Sequence, residues 1–427
     1  MEALRMLTEQ LWEPGLGDRV RTRVVPTGRT DEPDDGWCTA EEYWLLGGPQ
    51  TPRLLVPVAP RVVQRAALTH YRGLRRPAAN AGRALLGAAA GAGAPLARHR
   101  LLVQVRSPQD AALLPLTVLA RALDRPRLHA TFGVRIGANR KATLHLLDDD
   151  GTSVGHAKFG WNATADAYVR TESTVLTALA RSAGPAVPGT LHAPGLLAAL
   201  EQGGRPVVVV APLPDDVRGA RGSLGVPSAQ EFYSLTPVVR TGPAASTAHL
   251  AALGWRVDAL AGDDAVPASR AVLAAARDLL ARVHADPRAV PIQARWHGDL
   301  TPWNCARGAD SELWAWDWES SEPDVVAGLD VLHWHFSLAR EAGALATVRL
   351  ADCVQQGRAH LAAAGIAASE TGLVQAVYAL TVVERAASLA LRDGGWDRVW
   401  ISPERLGSLV AEARDQLVSA EPVGVAG

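Results

Sequence analysis

Arg295-Trp296-His297-Gly298-Asp299-Leu300-Thr301-Pro302-Trp303-Asn304, followed by Leu313-Trp314-Ala315-Trp316-Asp317-Trp318-Glu319, is the stretch of this 427-residue chain on which its reading turns. Asn304 stands 5 residues after Asp299, and Asp317 stands 13 after Asn304. Gly298 and Pro302 make the first stretch a tight loop that presents an aspartate and an asparagine. A turn follows, then a short apolar strand that ends in a second aspartate. That arrangement can focus one carboxylate base and two oxygen ligands on a single point.

Phosphoryl transfer from a nucleotide needs this set. One carboxylate must orient the attacking hydroxyl and accept its proton, and hard oxygen ligands must hold Mg²⁺ against the phosphates. Because Mg²⁺ keeps several waters, one carboxylate and one amide oxygen suffice beside the phosphates themselves. A cation on the donor phosphates is also required.

Outward from the loop, the chain changes character twice. Between 127 and 212, Leu128 to Ile136 reads as a strand and Gly137 to Arg140 as a turn. Ala142 to Leu147 and Ser153 to Phe159 form a hairpin about Asp148-Asp149-Asp150-Gly151. A helix over 164–182 comes next, and Val207 to Val210 is a continuous β-branched run suited to a buried strand. From 213 onward helices dominate, with spans at 267–286, 323–343, 345–364, 369–393 and 403–419. The first of these places Val272, Leu273, Ala276, Leu279, Leu280 and Val283 on one face. Before 125, Tyr43 to Leu46 and Arg53 to Val58 read as a hairpin, 60–92 as a helical stretch broken at Pro77, Leu101 to Val105 as a strand and 108–122 as a helix. No catalytic constellation is evident there.

The run His297-Gly298-Asp299-Leu300-Thr301-Pro302-Trp303-Asn304, followed by Trp316-Asp317-Trp318-Glu319, resembles the catalytic loop and metal-binding turn of the aminoglycoside phosphotransferase and choline kinase group. These are small-molecule kinases with a protein-kinase-like fold; the protein kinases carry His-Arg-Asp, with Asn five later, and Asp-Phe-Gly. Gly298 in place of that arginine points to the small-molecule branch. The resemblance implies that Asp299 is the catalytic base, that Asn304 and Asp317 bind Mg²⁺, that His297 braces the loop and that Glu319 assists the metal through water.

Upstream, Val154 to Phe159 resembles the strand whose lysine holds the α- and β-phosphates, which makes Lys158 that lysine. Glu172, 14 residues on in the following helix, is its expected ion-pair partner. Val207 to Pro212 is then the hinge, with Val210 and Pro212 offering backbone contacts to adenine. Gly137 stands in the expected phosphate turn, although the glycine-rich signature of protein kinases is absent, and Arg140 and Lys141 near that turn are candidates to approach the phosphates. The implied fold is α+β and two-lobed: an N-terminal extension of α/β character over 1–125, a small antiparallel β lobe over 126–212 for the nucleotide, and a larger, mainly helical lobe over 213–427 for catalysis and acceptor. The implied cofactors are ATP and Mg²⁺, and the implied partner is a small molecule bearing a hydroxyl. The rivals are a pseudokinase or scaffold, which the intact Lys–Glu–Asp–Asn–Asp set opposes, and a protein or peptide kinase. Only 7 residues lead from Asp317 to Asp324 before the next helix, too few for an extended activation segment.

Composition narrows the rest. With 43 basic and 44 acidic residues the net charge is −1, unlike a generic binder of nucleic acid or of anionic membranes. The longest apolar runs, such as Val207 to Leu213, fall far short of the roughly 18 residues of a membrane helix, and Glu2 and Glu9 near the start are unlike a secretion signal. Cys38, Cys305 and Cys353 are widely spaced and form neither a disulfide framework nor a metal-ligand pair. A cytoplasmic protein is expected. Lys141 and Lys158 are the only lysines beside 41 arginines, and Asn80, Asn139, Asn162 and Asn304 the only asparagines, as codon pressure for G and C produces. Lys158 and Asn304 survive at positions where chemistry wants them. Of the 13 tryptophans, Trp296, Trp303, Trp314, Trp316, Trp318 and Trp334 lie near the loop; Trp314 and Trp316 are expected in the core on one strand face, whereas Trp303 and Trp318 suit either core or cleft. Asp324 and Asp330 are expected to cap or anchor the helix over 323–343. Arg72, Arg75 and Arg76 read as a solvated face. For the acceptor, Arg218, Arg221 and Arg240 suit an anion, and Asp215, Asp216, Asp263 and Asp264 a cation.

Overall fold

The computed structural model describes residues 2–12, 16–28, 36–70, 77–134, 141–182, 189–219, 225–263 and 269–419. They divide into two units, residues 1–182 with 193–222, and residues 183–192 with 223–427. Gly137, Arg140, Arg72, Arg75, Arg76, Arg221 and Asp264 lie outside the described residues.

In the first unit α1 (Glu2–Leu11) precedes β1 (Val20–Pro26), β2 (Cys38–Leu46) and β3 (Leu54–Pro57). The helices α2 (Arg61–Thr69) and α3 (Pro77–Gly91) lead to β4 (His99–Val105). Then come α4 (Pro115–Ala122), β5 (His129–Gly133), β6 (Thr143–Leu147), β7 (Ser153–Phe159) and α5 (Ala163–Ser182). β8 (Leu191–His192) belongs to the second unit, while β9 (Leu196–Gln202), β10 (Arg205–Val210) and β11 (Arg218–Gly219) complete the first. Nine strands form one sheet in the order β1-β4-β2-β3-β5-β6-β7-β10-β9.

Two expectations change here. The first 125 residues are not a separate extension, because β3 pairs with β5, Leu54 opposite Gly133 and Leu55 opposite Phe132. The break in character near 125 is a helix end: Asp124 turns with φ 52°, and the Arg125 N–H returns to the Ala120 carbonyl at 2.8 Å. Likewise the span 108–122 is not one helix. A 3-10 turn over Pro108–Leu113 gives way to α4 at Pro115, whose missing N–H suits a helix start and not a helix interior. The break expected at Pro77 is the start of α3 for the same reason.

Alternation along β7 and β10 decides where Lys158 points. Ala157, Phe159, Val207 and Val209 join the core that α1 closes, with Trp12, Tyr43 and Phe132 packed at ring separations of 5.2 to 6.0 Å. With a side-chain period of 2, Lys158, Val208 and Val210 take the opposite face. Elsewhere α2 and α3 bury Val63, Ala67, Leu68 and Ala90 against Val56 and Leu147.

The second unit contains α6 (Ala229–Tyr233), β12 (Val238–Pro243), α7 (Ala248–Ala261), α8 (Arg270–Ala285) and β13 (Ala289–Trp296). β14 (Cys305–Arg307), β15 (Leu313–Ala315) and β16 (Glu322–Val326) follow, then α9 (Leu329–Glu341), α10 (Leu350–Ala363), α11 (Thr371–Asp393) and α12 (Pro403–Ser419). The expected helix over 323–343 is a strand followed by a helix. Pro323, Val325 and Val326 favour extended backbone, and Gly328 turns at φ 87° before α9 starts. The link after α8 is a strand as well: β13 lies between β12 and β16 and delivers Trp296 directly to His297. α11 runs through the core. Its stretch Ala368–Asp393 is long and apolar enough to cross a membrane, at a mean hydropathy of 1.3, yet 83% of that window is buried inside the protein. All three cysteines are unbridged.

Candidate active site

The first unit contributes an ion pair. Lys158 on β7 is 5% exposed and Glu172 on α5 is 0% exposed. The Lys158 ammonium donates to both carboxylate oxygens of Glu172, at 2.5 and 2.7 Å. Neighbouring strands fix the lysine backbone, with Thr143 and Val208 opposite it. Val210 ends β10 opposite His156, and the Ala211 N–H bonds the Gly195 carbonyl before Pro212.

The second unit carries the loop itself, and a buried aspartate anchors it. Asp330, in the first turn of α9, accepts the backbone N–H of His297 at 2.7 Å and that of Gly298 at 3.1 Å. Burial pushes the Asp330 carboxyl upward, against His297, which favours its charge. Asp330 therefore anchors the loop, not its own helix; Asp324 caps a different helix, accepting the Ala248 N–H at the start of α7. Gly298 has φ 84°, and a Cβ there would stand 2.1 Å from the Ser320 carbonyl oxygen, so no larger residue fits. The Gly298 carbonyl accepts from the Arg385 guanidinium.

His297 is 1% exposed. Its Nδ1 receives the Asp299 N–H at 3.2 Å, and its Nε2 lies 3.1 Å from the Trp316 carbonyl. A backbone N–H can only donate and a carbonyl can only accept, so the ring is neutral with its proton on Nε2. Burial pushes its pKa below 6.5, against the charges of Asp330, Asp299 and Asp317. His297 is a brace, with both nitrogens already engaged.

Asp299 is 38% exposed at its side chain, and each carboxylate oxygen meets one donor. Asn304 Nδ2 donates to Oδ2 at 2.8 Å and to the Asp299 carbonyl at 3.0 Å. His333 Nε2 lies 3.1 Å from Oδ1, and His333 Nδ1 lies 3.0 Å from the Tyr378 hydroxyl. A carboxylate only accepts, so His333 carries its proton on Nε2. The sequence reading missed both His333 and Tyr378. The available signal was spacing: Asp330 and His333 are three apart on one helix, hence on one face, and Asp330 grips the loop.

Opposite the loop, Asn304 and Asp317 come together because β14 and β15 form a hairpin, Cys305 opposite Ala315, with the Trp316 N–H on the Asn304 carbonyl at 3.0 Å. Asp317 itself is left-handed, φ 64° and ψ 54°, a conformation that costs a non-glycine residue about 1–2 kcal/mol and marks constrained sites. With the Asn304 amide nitrogen committed to Asp299, its Oδ1 is the atom left for a cation. Asn304 Oδ1 and the Asp317 carboxylate are two hard oxygen donors, the chemistry that suits Mg²⁺ completed by water and phosphate oxygens. Among the described residues no group of three or more His, Cys, Asp or Glu forms a metal cage of its own. Glu319 sits on the one-turn 3-10 helix Trp318–Ser320 that follows Asp317.

The tryptophans are arranged differently from expectation. Leu313 and Ala315 are the buried face of β15, whereas Trp314 and Trp316 are half-buried, Trp314 stacking on His192 at 5.1 Å. Trp318 is core, 0% exposed, with its ring centre 4.3 Å from that of His297.

No known family profile matches this chain, and no curated protein matches it. Among solved structures, it is similar to the aminoglycoside phosphotransferase from Alicyclobacillus acidocaldarius subsp. acidocaldarius DSM 446 at 14% identity, covering 67% of this chain and 90% of that one, with a TM-score of 0.34. It is also similar to a glucosamine kinase at 21% identity, covering 74% of this chain and 80% of that one, with a TM-score of 0.30. At these scores the likeness fixes neither fold nor activity.

Proposed function

We propose that the chain is an ATP- and Mg²⁺-dependent phosphotransferase that places the γ-phosphate on a hydroxyl of a small molecule. The observation that carries this is the state of Asp299. It is half-exposed, Asn304 donates to one oxygen and His333 to the other, and two hard oxygen ligands, Asn304 and Asp317, belong to the same loop and hairpin. With one donor on each oxygen, the carboxylate keeps lone pairs on both for an incoming O–H.

When bound, Mg²⁺ draws charge off the phosphate oxygens and ATP supplies the group to be transferred. Asn304 Oδ1 and Asp317 are the residues that would hold the cation, with Glu319 beside them. Lys158, fixed by Glu172, is the ammonium for the donor phosphates. Asp299 orients the acceptor hydroxyl and takes its proton as the acceptor oxygen bonds to the γ-phosphorus. The bond from that phosphorus to the bridging oxygen breaks, and ADP leaves. His297, Asp330 and Arg385 hold the loop, and Asn304 and His333 hold the carboxylate. The strand β16 follows Asp317 almost at once, which leaves no activation segment and supports a small acceptor over a protein.

The test is ADP release from Mg·ATP across a panel of alcohols. Asp299→Asn should lower transfer by about 10²–10⁴-fold, the usual share of a general base. An undiminished rate in purified Asp299→Asn would sink the assignment. Lys158→Arg should also cripple ATP use, because a planar fork replaces a compact ammonium poorly.

A further inference from the structure

Two turns along α9 from His333, on the same face, stands Arg340. Helical side chains lean toward the N-terminus, so the guanidinium reaches back toward the end of the helix that contacts Asp299. Its carbon lies 5.6 Å from the ring centre of Trp303, in the catalytic loop, and 4.9 Å from that of Trp400. Trp400 is in turn held edge-on by Phe336, at 6.0 Å. The residue keeps part of its surface exposed; burial of the rest pushes its pKa down, and the Asp299 charge opposes that.

Both contacts are with aromatic rings and not with acceptor oxygens. The five N–H donors lie in the plane, and among the described residues no carboxylate forms a salt bridge with them. Arg240, an arginine that the sequence offered for an anionic acceptor, is committed otherwise, to Asp324 at 2.8 Å and to Ser246 at 3.0 Å. An arginine beside two indoles, with no salt-bridge partner among the described residues, suits a carboxylate or phosphate, which it can meet with two parallel hydrogen bonds.

We propose that Arg340 selects the acceptor: a small alcohol that also carries an anionic group, a carboxylate or a phosphate monoester, seated on Arg340 while its hydroxyl lies at Asp299. This rests on the phosphotransferase reading for the identity of the site, but the binding it claims is independent of turnover.

The experiment is calorimetric titration of the full chain, without nucleotide, with four hexose probes: glucuronate, glucose 6-phosphate, glucose and glucosamine. At least one of the two anionic probes should bind about tenfold or more tighter than glucose, with glucosamine weakest, as expected of a charge-assisted hydrogen-bonded pair. The two anionic arms separate a carboxylate acceptor from a phosphorylated one. Arg340→Gln should bring the anionic probes to within about twofold of glucose, and Arg340→Lys should keep part of the preference; thermal melts of both variants verify the fold. Asp299→Asn should keep the preference while transfer is lost. A preference that survives in Arg340→Gln, glucose or glucosamine binding as tightly as the anions, or no binding of either anion by the wild type overturns the proposal. Intact preference with no ADP from any acceptor overturns the phosphotransferase reading alone.

Discussion

The two units each present a carboxylate held by nitrogen donors at both oxygens, and they do it by opposite means. Glu172 is wholly buried and meets a full cation, Lys158, at 2.5 and 2.7 Å. Asp299 is half-exposed and meets two separate donors, Asn304 at 2.8 Å and His333 at 3.1 Å. The first arrangement is a fixture: two desolvated charges need each other, and neither can leave without stranding its partner. On the proposed function the second is a poised base, oriented by its donors and still open to solvent. The difference teaches that a shared geometry of acid and donors says little until burial and the charge of the donor are known.

The largest expected effect tests the fixture. Glu172→Ala should destabilise the first unit by about 3–5 kcal/mol, the cost of leaving a buried lysine unpaired; Asp299→Ala should cost the second unit less than about 1 kcal/mol, since its oxygens already reach solvent. Denaturant melts of the two variants decide. Equal losses would break the comparison.

Next in size comes a pH effect from a second pair of acids, one per unit. Burial pushes the Glu41 carboxyl up to about 7, hydrogen bonds from Tyr43 and Trp12 opposing it only in part. At Glu322 burial again pushes upward, but His249 and Arg256 prevail and hold it at about 2. Glu41 thus favours the fold most fully below its ordinary 4.5, a contribution lost as pH rises through about 7. Glu322 favours the fold above 4.5, a contribution lost as pH falls toward 2. Each amounts to at most about 3 kcal/mol. Hydrogen exchange followed unit by unit across pH should show Glu41→Gln removing the alkaline loss in the first unit and Glu322→Gln the acid loss in the second. The same pH slope in both units would contradict the assignment.

The smallest effect sharpens the poised-base half. His333→Phe should lower kcat about tenfold with the KM for ATP unchanged, because only the aim of Asp299 is lost. His333→Gln, which keeps a donor near the place of Nε2, should recover much of it. A parallel rise in KM for ATP, or no rescue by Gln, would make His333 merely structural.

Much of this was legible in the chain. Tight turns and β-branched runs disclosed β2, β3, β6, β7 and β10, and helical periodicity disclosed α5, α8, α10, α11 and α12, because those signals are local. The order of Asp299, Asn304 and Asp317 was enough to nominate them, and Lys158 with Glu172 was nominated by resemblance to a phosphate-binding strand and its following helix. What escaped depends on distant partners. That Asp330 reaches back 33 and 32 residues to two amides, or that His333 reaches Asp299, is fixed by where β13 and β16 put α9. The tryptophans misled for a related reason: period 2 assigns Trp314 and Trp316 to one face but does not say which face is buried.

The joining of β3 to β5 reaches beyond topology. A chain shortened to begin near 126 would keep every residue assigned to chemistry, yet β5 would become a bare edge, its N–H and C=O groups open to any passing strand. Phe132 would also lose Trp12 and Tyr43 from its face. Such a fragment should aggregate even though it retains every residue proposed for catalysis, because the pairing of β3 is what covers the β5 edge.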